Sequence, residues 1–398
     1  MQAMTADEVA ARLAVKVDTV YAYVSRGVLR RWKDPTSRTS RFDPAEVEVL
    51  ARRGRPRRAS RPPALDFTIH TAITTIGDHA ISYRQHSALT LARTATFEEV
   101  AHLLWTGQRS VRPAVWRAAP VVVPDVPAAR DRLRMAVVMA GAADPFRADL
   151  SVSAVVQRAG SLIATMTEAV PPTGCSRSAR LTLDDGAPPR RGTIAGRLWG
   201  RLAAVRATPE LVAALNAALV LLADHELAAS TLAARVAASA RADPYGVVLA
   251  GLGPLSGPLH GGAPLRAGRL LHEASESGPD AALARALEVH GAVPGFGHPL
   301  YPSGDPRARV LLELLRRASP GHPAIGVADR IVATVRRRGQ LEPTVDFALA
   351  ALARITRMPD DAGEVIFAIA RSAGWIAHGI EEYDEEPLRF RARALPRR

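Results

Sequence analysis

The stretch PELVAALNAALVLLADHELAASTLAARVAASA, residues 209–240, decides the fold class of this chain. Alanine and leucine dominate it, and the alternating β-branched residues of a strand are scarce. Apolar residues recur at helical spacing, which is typical of a buried amphipathic helix. The same pattern returns in ATFEEVAHLLWTG, residues 95–107, and in DPRARVLLELLRRAS, residues 305–319. From about residue 65 onward, the sequence therefore predicts an all-α body.

The overall composition is that of an ordinary globular protein. Hydrophobic residues make up 47% of the 398 residues and charged residues 23%. No apolar run reaches the roughly 18 residues that a membrane span needs, and acidic residues stand near the N-terminus where a signal peptide has an apolar core. Cys175 is the only cysteine, which excludes an intrachain disulfide and a thiolate metal cage. We expect a cytoplasmic protein of two or three domains without a metal site.

The excess of basic residues is concentrated at one end of the chain. The formal net charge is +13, and residues 1–62 hold 14 basic and 7 acidic residues. Over half of the excess therefore lies in the first sixth of the chain. A concentrated basic segment favours a polyanionic partner, and a solvated basic tail is the alternative.

The same basic segment predicts a small domain over residues 1–54. Thr5 followed three residues later by Glu8 forms a capping-box pattern that begins a first helix. A second helix is predicted from Asp18, as its N-cap, to Gly27. Residues 28–42 then read as a basic two-stranded wing, and Pro44 begins a third helix.

This order of elements resembles the winged helix-turn-helix of MerR-type and excisionase-like proteins. The resemblance implies that the second helix enters a DNA major groove and that basic side chains of the wing lie near phosphates. The candidate DNA contacts are Thr19, Tyr21, Tyr23, Arg26, Arg30, Arg31, Arg38 and Arg41. Small domains of this kind also serve as protein-docking modules. Residues 55–64, rich in Pro, Arg and Ser, are predicted to form a linker.

Six motifs stand in a fixed order along residues 65–398. Two are glycine-rich loops that each present a histidine: SGPLHGGAP with His260 and PGFGHPLYPSGDPRA with His298. The others are ADHELAAST with His225, PTVDFALAAL with Asp346, IFAIARSAGWIAHGIEEY with Arg371, and LRFRARAL with Arg389. Together they resemble citrate synthase, and each motif alone is much less specific.

The resemblance implies a role for each of these residues. Asp346 would remove a proton from the methyl group of acetyl-CoA, His260 would stabilise the enolate oxygen, and His298 would protonate the ketone of oxaloacetate. The substrate-binding set would be His225, Arg307, Arg371 and Arg389. Guanidinium groups suit a dicarboxylate because they bind planar anions in a bidentate manner. Acetyl-CoA would be a substrate, and no further cofactor is implied.

The resemblance also implies an architecture. We expect a homodimer in which each chain has a large helical domain (residues 65–260 and 371–398) and a small one (residues 261–370). Arg389 would reach into the site of the neighbouring subunit. Closure of the small domain onto the large one would exclude water during condensation.

The sequence leaves several alternatives open. His225 stands in what reads as one long apolar helix and is explicable as a core histidine, and Asp346 is explicable as a helix N-cap. HGGAP, with Pro264, and GHPLY, with Pro299, depart from the usual motifs of the family, which weakens inferences about CoA binding. The alternative functions are 2-methylcitrate synthesis from propionyl-CoA and a DNA-binding, metabolite-sensing regulator with an idle synthase body.

Overall fold

The chain forms two compact units, Met1–His70 and Thr71–Arg398. The computed structural model describes residues 3–13, 15–25, 28–34, 39–52, 68–77, 79–109, 115–173, 192–257, 259–339 and 341–391. The expected linker, residues 55–64, lies outside the described residues. The division of the second unit into a large and a small domain stays a prediction.

The first unit combines three helices with a small antiparallel sheet. Its elements are β1 (Met4–Thr5), α1 (Ala6–Leu13), α2 (Val17–Ser25), β2 (Arg31–Lys33), β3 (Ser40–Phe42) and α3 (Pro44–Arg52). The strand order is β1-β3-β2, so β3 pairs on both sides. The two-stranded wing expected from the sequence is therefore part of a three-stranded sheet, because Met4 and Thr5 pair with Phe42 and Arg41.

The helix boundaries of this unit follow from their first residues. Thr5 N donates to Glu8 Oε2 at 2.6 Å and Glu8 N donates to Thr5 Oγ1 at 3.3 Å, which is the expected capping box. Asp18 was expected to cap the second helix, and this prediction is wrong. The helix begins at Val17, because Lys16 O already accepts the backbone N–H of Thr19 and Val20.

Tyr23 lies in the core of the first unit rather than on its surface. It is 6% exposed and belongs to one apolar cluster with Val20, Leu29, Phe42 and Val47. The prediction that Tyr23 contacts DNA is therefore wrong, because its ring is used to bury apolar surface. Arg26 and Arg38 lie outside the described residues.

The second unit is mostly helical. Its helices are α4 (Ala88–Thr94), α5 (Phe97–Thr106), α6 (Ala129–Ala143), α7 (Val152–Ala169), α8 (Ile194–Leu202), α9 (Pro209–Leu222), α10 (Ala229–Ser239), α11 (Pro244–Leu255), α12 (Ala263–Ser277), α13 (Pro279–His290), α14 (Pro306–Ala318), α15 (Pro323–Gly339), α16 (Val345–Thr356) and α17 (Ala362–Tyr383). It also contains one antiparallel sheet, which the sequence reading missed: β4 (Thr74–Gly77), β5 (Ala80–Tyr83) and β6 (His86–Ser87).

Local sequence signals account for many of the helix ends. Thr96 and Glu99 form a reciprocal capping box at the start of α5, and Gly107, with φ of 73°, ends it in the left-handed conformation. Thr208 and Asp243 cap α9 and α11, and a proline follows each cap as the first helical residue.

Helix α17 runs through the centre of the second unit. Most of its 22 residues are buried, including Trp375, which is fully enclosed. A Cβ on Gly251 would lie 2.4 Å from a ring carbon of Trp375, so only glycine lets α11 approach α17 this closely. None of the helices in the described part of the chain is long and apolar enough to cross a membrane.

Candidate active site

One cavity of about 560 Å³ in the second unit gathers most of the residues singled out from the sequence. Its wall comes from the segment between α9 and α10, from the loops that follow α11 and α13, and from the first turns of α14 and α16 together with the middle of α17. The sequence-predicted residues that line it are His225, His260, His298, Arg307, Asp346 and Arg371. Arg389 is not among the residues of this wall.

His225 lies in a break between two helices, so the prediction that places it within one long helix is wrong. Donors from distant segments form hydrogen bonds with carbonyl groups at the end of α9. The Tyr83 hydroxyl lies 3.0 Å from Val220 O, and Gly374 N donates to Ala223 O at 2.9 Å. Because these carbonyls accept hydrogen bonds from other segments, α9 ends at Leu222 and His225 lies at the cavity.

The environment of His225 holds the ring neutral. Its Nε2 lies 2.9 Å from the Tyr301 hydroxyl, and the residue is 8% exposed. Burial lowers the pKa of His225 well below its usual value, and the cations Arg307 and Arg371 lower it further. A neutral ring held in this way can donate or accept one hydrogen bond at the cavity without adding charge.

His260 lies in the short loop between α11 and α12. The loop is tight, because a Cβ on Gly261 would lie 2.3 Å from Leu255 O. His260 Nε2 lies 2.8 Å from Ser230 Oγ, and its ring meets the Phe367 ring edge-on at 5.4 Å. Burial, assisted by the charge of Arg371, lowers the pKa of His260 to about 4.

His298 occupies a loop that depends on two glycines. Gly295 and Gly297 have φ of 79° and 76°, a region that favours glycine. Leu300 N donates to His298 Nδ1 at 3.2 Å, so the neutral ring carries its proton on Nε2. Burial lowers the pKa of His298, and Arg307 adds to the effect. The rings of His298 and His225 lie 5.5 Å apart, which makes them direct neighbours.

Asp346 lies in the first turn of α16 and does not cap it. Thr344 occupies the N-cap position, so the N-cap explanation of Asp346 is wrong. The Thr344 hydroxyl donates to Asp346 Oδ2 at 3.2 Å. Burial raises the pKa of Asp346 to about 6, although Arg307 and the Thr344 hydrogen bond oppose that rise. Near pH 7 the group is therefore an ionised carboxylate that takes up a proton unusually readily.

Arg307 is buried and held by a single carboxylate. Its Nε and Nη2 donate to Asp305 Oδ1 and Oδ2 at 3.0 and 2.9 Å. Asp305 also accepts the backbone N–H of Val345 at 2.9 Å, so it ties the start of α14 to the start of α16. The Asp305 carboxylate raises the pKa of Arg307 despite its burial. The guanidinium is thus permanently charged and fixed in direction.

Arg371 is buried and forms no ion pair with an acidic residue of the described ranges. Its Nε donates to Leu222 O at 2.8 Å, while Nη1 has no hydrogen-bond partner in the described part of the chain. The guanidinium carbon lies 4.7 Å from the centre of the Phe367 ring. Burial lowers the pKa of Arg371 to about 10. An enclosed cation with an unsatisfied N–H favours an anionic ligand in the cavity.

Arg389 lies instead against the end of α17. Its Nε and Nη2 donate to the two carboxylate oxygens of Glu382 at 2.7 and 2.8 Å. Glu382 is fully buried and also accepts Arg235 Nε at 2.8 Å. The role of Arg389 in the site of a second subunit stays a prediction.

Four residues that the sequence reading left without a role support the site. Ser230 and Tyr301 hold His260 and His225, Asp305 orients Arg307, and Phe367 packs against both His260 and Arg371. All four stand inside quoted motifs, a few residues from the histidine or arginine that each motif presents. That proximity in sequence is the signal by which they can be found. Within the described residues, no group of three or more His, Cys, Asp or Glu side chains could hold a metal ion.

Comparisons of the chain with known proteins place its similarity in one family. The family model described as "Citrate synthase, C-terminal domain" matches residues 67–393. Citrate synthase 2 of Bacillus subtilis (strain 168) is 40% identical over 185 residues, which are 46% of this chain and 50% of that protein. The chain thus spans about half the length of this relative. The 2-methylcitrate synthase 2 of Corynebacterium glutamicum is 27% identical over 337 residues, 78% of this chain and 87% of that protein.

Solved structures show the same fold. The crystal structure of citrate synthase from Thermotoga maritima matches with a TM-score of 0.66 at 24% identity, covering 83% of this chain and 93% of that one. The citrate synthase of Thermoplasma acidophilum, determined as a ternary complex with carboxymethyl coenzyme A and oxaloacetate, also matches with a TM-score of 0.66 at 24% identity, covering 82% of this chain and 92% of that one. The expected mostly helical fold is therefore confirmed for the second unit.

Proposed function

Because the chain belongs to the citrate synthase family, we propose that it condenses acetyl-CoA with oxaloacetate and water to give citrate and CoA. The observation that carries the proposal is the convergence of Asp346, His260 and His298 on one cavity that also contains two buried guanidinium groups. A carboxylate with a raised pKa and imidazoles with lowered pKa values suit proton transfer near neutral pH.

The first step makes a carbon nucleophile. The Asp346 carboxylate removes a proton from the thioester methyl group while His260 donates a hydrogen bond to the thioester oxygen, where negative charge develops. His260 can donate into the cavity only through Nδ1, since Ser230 occupies Nε2 at 2.8 Å. The Ser230 hydroxyl therefore donates to Nε2 and keeps the proton on Nδ1.

The second step joins the two substrates. The methylene carbon attacks the ketone carbon of oxaloacetate, and His298 Nε2–H gives its proton to the ketone oxygen. Arg307 and Arg371 hold the two carboxylates, and His225 donates a further hydrogen bond. Water then attacks the citryl carbonyl carbon while its proton returns to His298, and the C–S bond breaks. The proton that Asp346 took from the methyl group goes to the sulfur of CoA, so citrate and CoA are released and both residues regain their starting forms.

Thiol release from acetyl-CoA in the presence of oxaloacetate tests the proposal. Asp346→Asn should lower kcat by about 10²–10⁴-fold, because the base is lost while the volume is kept. Asp329→Asn, on a carboxylate 46% exposed on α15, is the matched control and should keep wild-type activity. Wild-type turnover in Asp346→Asn contradicts the role of Asp346 as the base. A wild-type protein without turnover favours the alternative of a metabolite-sensing regulator with an idle synthase body.

The acyl group is the part of the substrate that the cavity constrains least. The 2-methylcitrate synthase relative from Corynebacterium glutamicum supports propionyl-CoA as the alternative substrate. We propose acetyl-CoA as the preferred one, and kcat/KM measured for both acyl-CoAs decides between them.

We further propose that the first unit is a winged helix-turn-helix that binds DNA. Tyr21 on α2 is 38% exposed, and the Arg31 guanidinium carbon lies 5.8 Å from its ring centre, so a ring and a cation stand together on the surface. Thr19, also on α2, is half-buried. Arg30 and Arg41 are less available, because Glu46 and Asp34 pair with them.

A fluorescence-anisotropy titration with duplex DNA tests this second proposal. Arg31→Ala should weaken binding and reduce the slope of log K against log salt by about one, since one phosphate contact is lost. Arg317→Ala, an exposed arginine on α14, should leave both unchanged. DNA binding that is absent, or equally affected by both variants, contradicts a DNA-binding role for the first unit.

We also propose a cytoplasmic homodimer. Apolar side chains that the single chain leaves exposed support a second copy, including Val138 on α6, Phe146 in the following segment and Val152 at the start of α7. In such a dimer, Arg389 would act in the neighbouring site. Light scattering measures the oligomeric state and so tests the dimer. Fractionation of cells shows where the protein is located and so tests the cytoplasmic location.

A further inference from the structure

A second cavity, of about 450 Å³, lies between α12, α16 and α17. It shares no lining residue with the candidate active site. Three of its lining residues are arginines, Arg269, Arg354 and Arg357. Asp360 is the one acidic residue of the wall. The cavity is therefore electropositive.

The three arginines stand unpaired among the described residues. In the part of the chain that the structure describes, no ion pair or side-chain hydrogen bond is formed by Arg269, Arg354 or Arg357. Another cavity, of about 370 Å³, contains arginines that are paired. Its residues Arg316 and Arg336 pair with Asp329 and Glu342, each at 2.6 Å.

Like charges gathered around one cavity repel each other, and an anion between them removes that cost. Guanidinium groups are also the donors that match the oxygen pairs of phosphate groups. A ligand with several phosphate oxygens can contact more than one of these arginines at once.

Gly268 supplies an independent indication that the space is kept open. It stands inside α12, where glycine is less favourable than alanine. A Cβ added to it would meet nothing within 4 Å, so no neighbouring group requires a glycine. By contrast, a Cβ on Gly363, in the same wall, would lie 2.6 Å from Pro264 Cβ, so packing explains that glycine. The missing side chain of Gly268 enlarges the cavity.

We propose that this cavity is a second binding site, for a small anion that carries two or more phosphate groups. The site goes beyond the proposed condensation and does not depend on it. The three helices that border it also lead to the active site: α12 begins three residues after His260, α16 carries Asp346, and α17 carries Arg371. A bound ligand therefore touches the helices that position the proposed catalytic groups.

Calorimetric titration of the full chain with inorganic pyrophosphate at fixed ionic strength tests the site. The double variant Arg354→Ala/Arg357→Ala should bind pyrophosphate about tenfold more weakly or worse. Gly268→Leu should lose binding as well, because it fills the space and keeps every charge. Arg317→Ala removes an exposed arginine elsewhere and should bind as the wild type does.

Two results would overturn the proposal. One is a wild type that gives no binding, or an affinity that is the same in all variants, which means an adventitious ion only. The other is a tenfold rise of the KM for acetyl-CoA in Gly268→Leu and the double variant, which assigns the cavity to the substrate site. Thiol release by the same proteins reports separately on the proposed activity, and thermal melting shows that each variant is folded.

Discussion

Burial shifts the pKa values of two residues of the cavity wall in opposite directions. It raises the pKa of Asp346 to about 6 and lowers the pKa of His260 to about 4. The common cause is that an enclosed site disfavours whichever form is charged. At neutral pH, which lies above both values, the cavity contains a carboxylate that is easily protonated and a neutral imidazole. The proposed base and hydrogen-bond donor are thus both in their working forms near pH 7.

The pH profile of thiol release follows from these shifts. Activity should fall as pH drops through about 6, because Asp346 takes up a proton in the folded protein and ceases to be a base. The histidines should not add a step near pH 6.5, because their pKa values are lowered. A profile of kcat measured from pH 5 to 8 checks this. A flat profile across pH 6 would contradict the role of Asp346.

Asp346 also lowers stability while serving catalysis. The buried site favours the protonated form of Asp346 over the ionised form. Protonation therefore stabilises the folded state: this contribution is complete below pH 3.8 and is lost as the pH rises through about 6. Above that pH, Asp346→Asn should raise the free energy of unfolding by about 1–3 kcal/mol. Denaturant melts at pH 4 and pH 7.5 test the prediction, and the gain should be present only at the higher pH. If Asp346→Asn lowers the free energy of unfolding equally at both pH values, the substitution has damaged the structure and the prediction is contradicted.

The residues of the cavity were predictable because each stands in a short motif that resembles a known family. The burial of Tyr23 was not predictable in this way. Its spacing of three residues from Val20 puts both side chains on one face of α2. Deciding which face is buried requires Phe42 and Val47, which come from elements folded against that helix. The pKa values were likewise out of reach, since they depend on enclosure by distant segments.

At the scale of elements, the break between α9 and α10 shows why helix patterns misled. The local sequence is uniformly helix-forming, but Tyr83, from strand β5, reaches the end of α9 from more than a hundred residues away. The strand that carries it was missed because it has four residues, too few for a clear alternation. Helix starts were easier to predict, since their caps and prolines are local.

Removal of the Tyr83 hydroxyl should loosen this break. Its oxygen lies 3.0, 3.3 and 3.1 Å from the carbonyls of Val220, Leu221 and Asp224, so Tyr83→Phe leaves buried acceptors without their donor. We expect a loss of about 1–2 kcal/mol in the free energy of unfolding. We also expect a higher KM for oxaloacetate, because His225 follows directly after this segment.

Tyr383→Phe is the matched control for that variant. The Tyr383 hydroxyl donates to one carbonyl, Ala242 O, at 2.7 Å, away from the cavity wall. Both variants should lose stability in thermal melts, but only Tyr83→Phe should change the KM. A KM that rises equally in both would show a general loosening rather than a specific effect on His225.

At the scale of the whole molecule, the sequence predicted a small basic unit before a helical body, and the structure contains two compact units. What sequence patterns do not contain is how copies of the chain meet. Arg389 illustrates this, because within one chain it pairs with Glu382. Glu382 keeps a second cation, Arg235, at 2.8 Å, so it stays partnered when Arg389 turns away. The pairing in one chain is therefore compatible with a role in a neighbouring site.

Complementation between two inactive variants tests that role. In a dimer with shared sites, Arg389→Ala lacks a substrate contact in both sites and Asp346→Asn lacks the base in both. A mixed dimer of the two has one site with Asp346 from the first chain and Arg389 from the second. Co-expression should therefore restore about a quarter of wild-type thiol release, since about half of randomly assembled dimers are mixed and each has one complete site. If Arg389 acts only within its own chain, no mixed site is complete and the activity stays at the level of the separate variants.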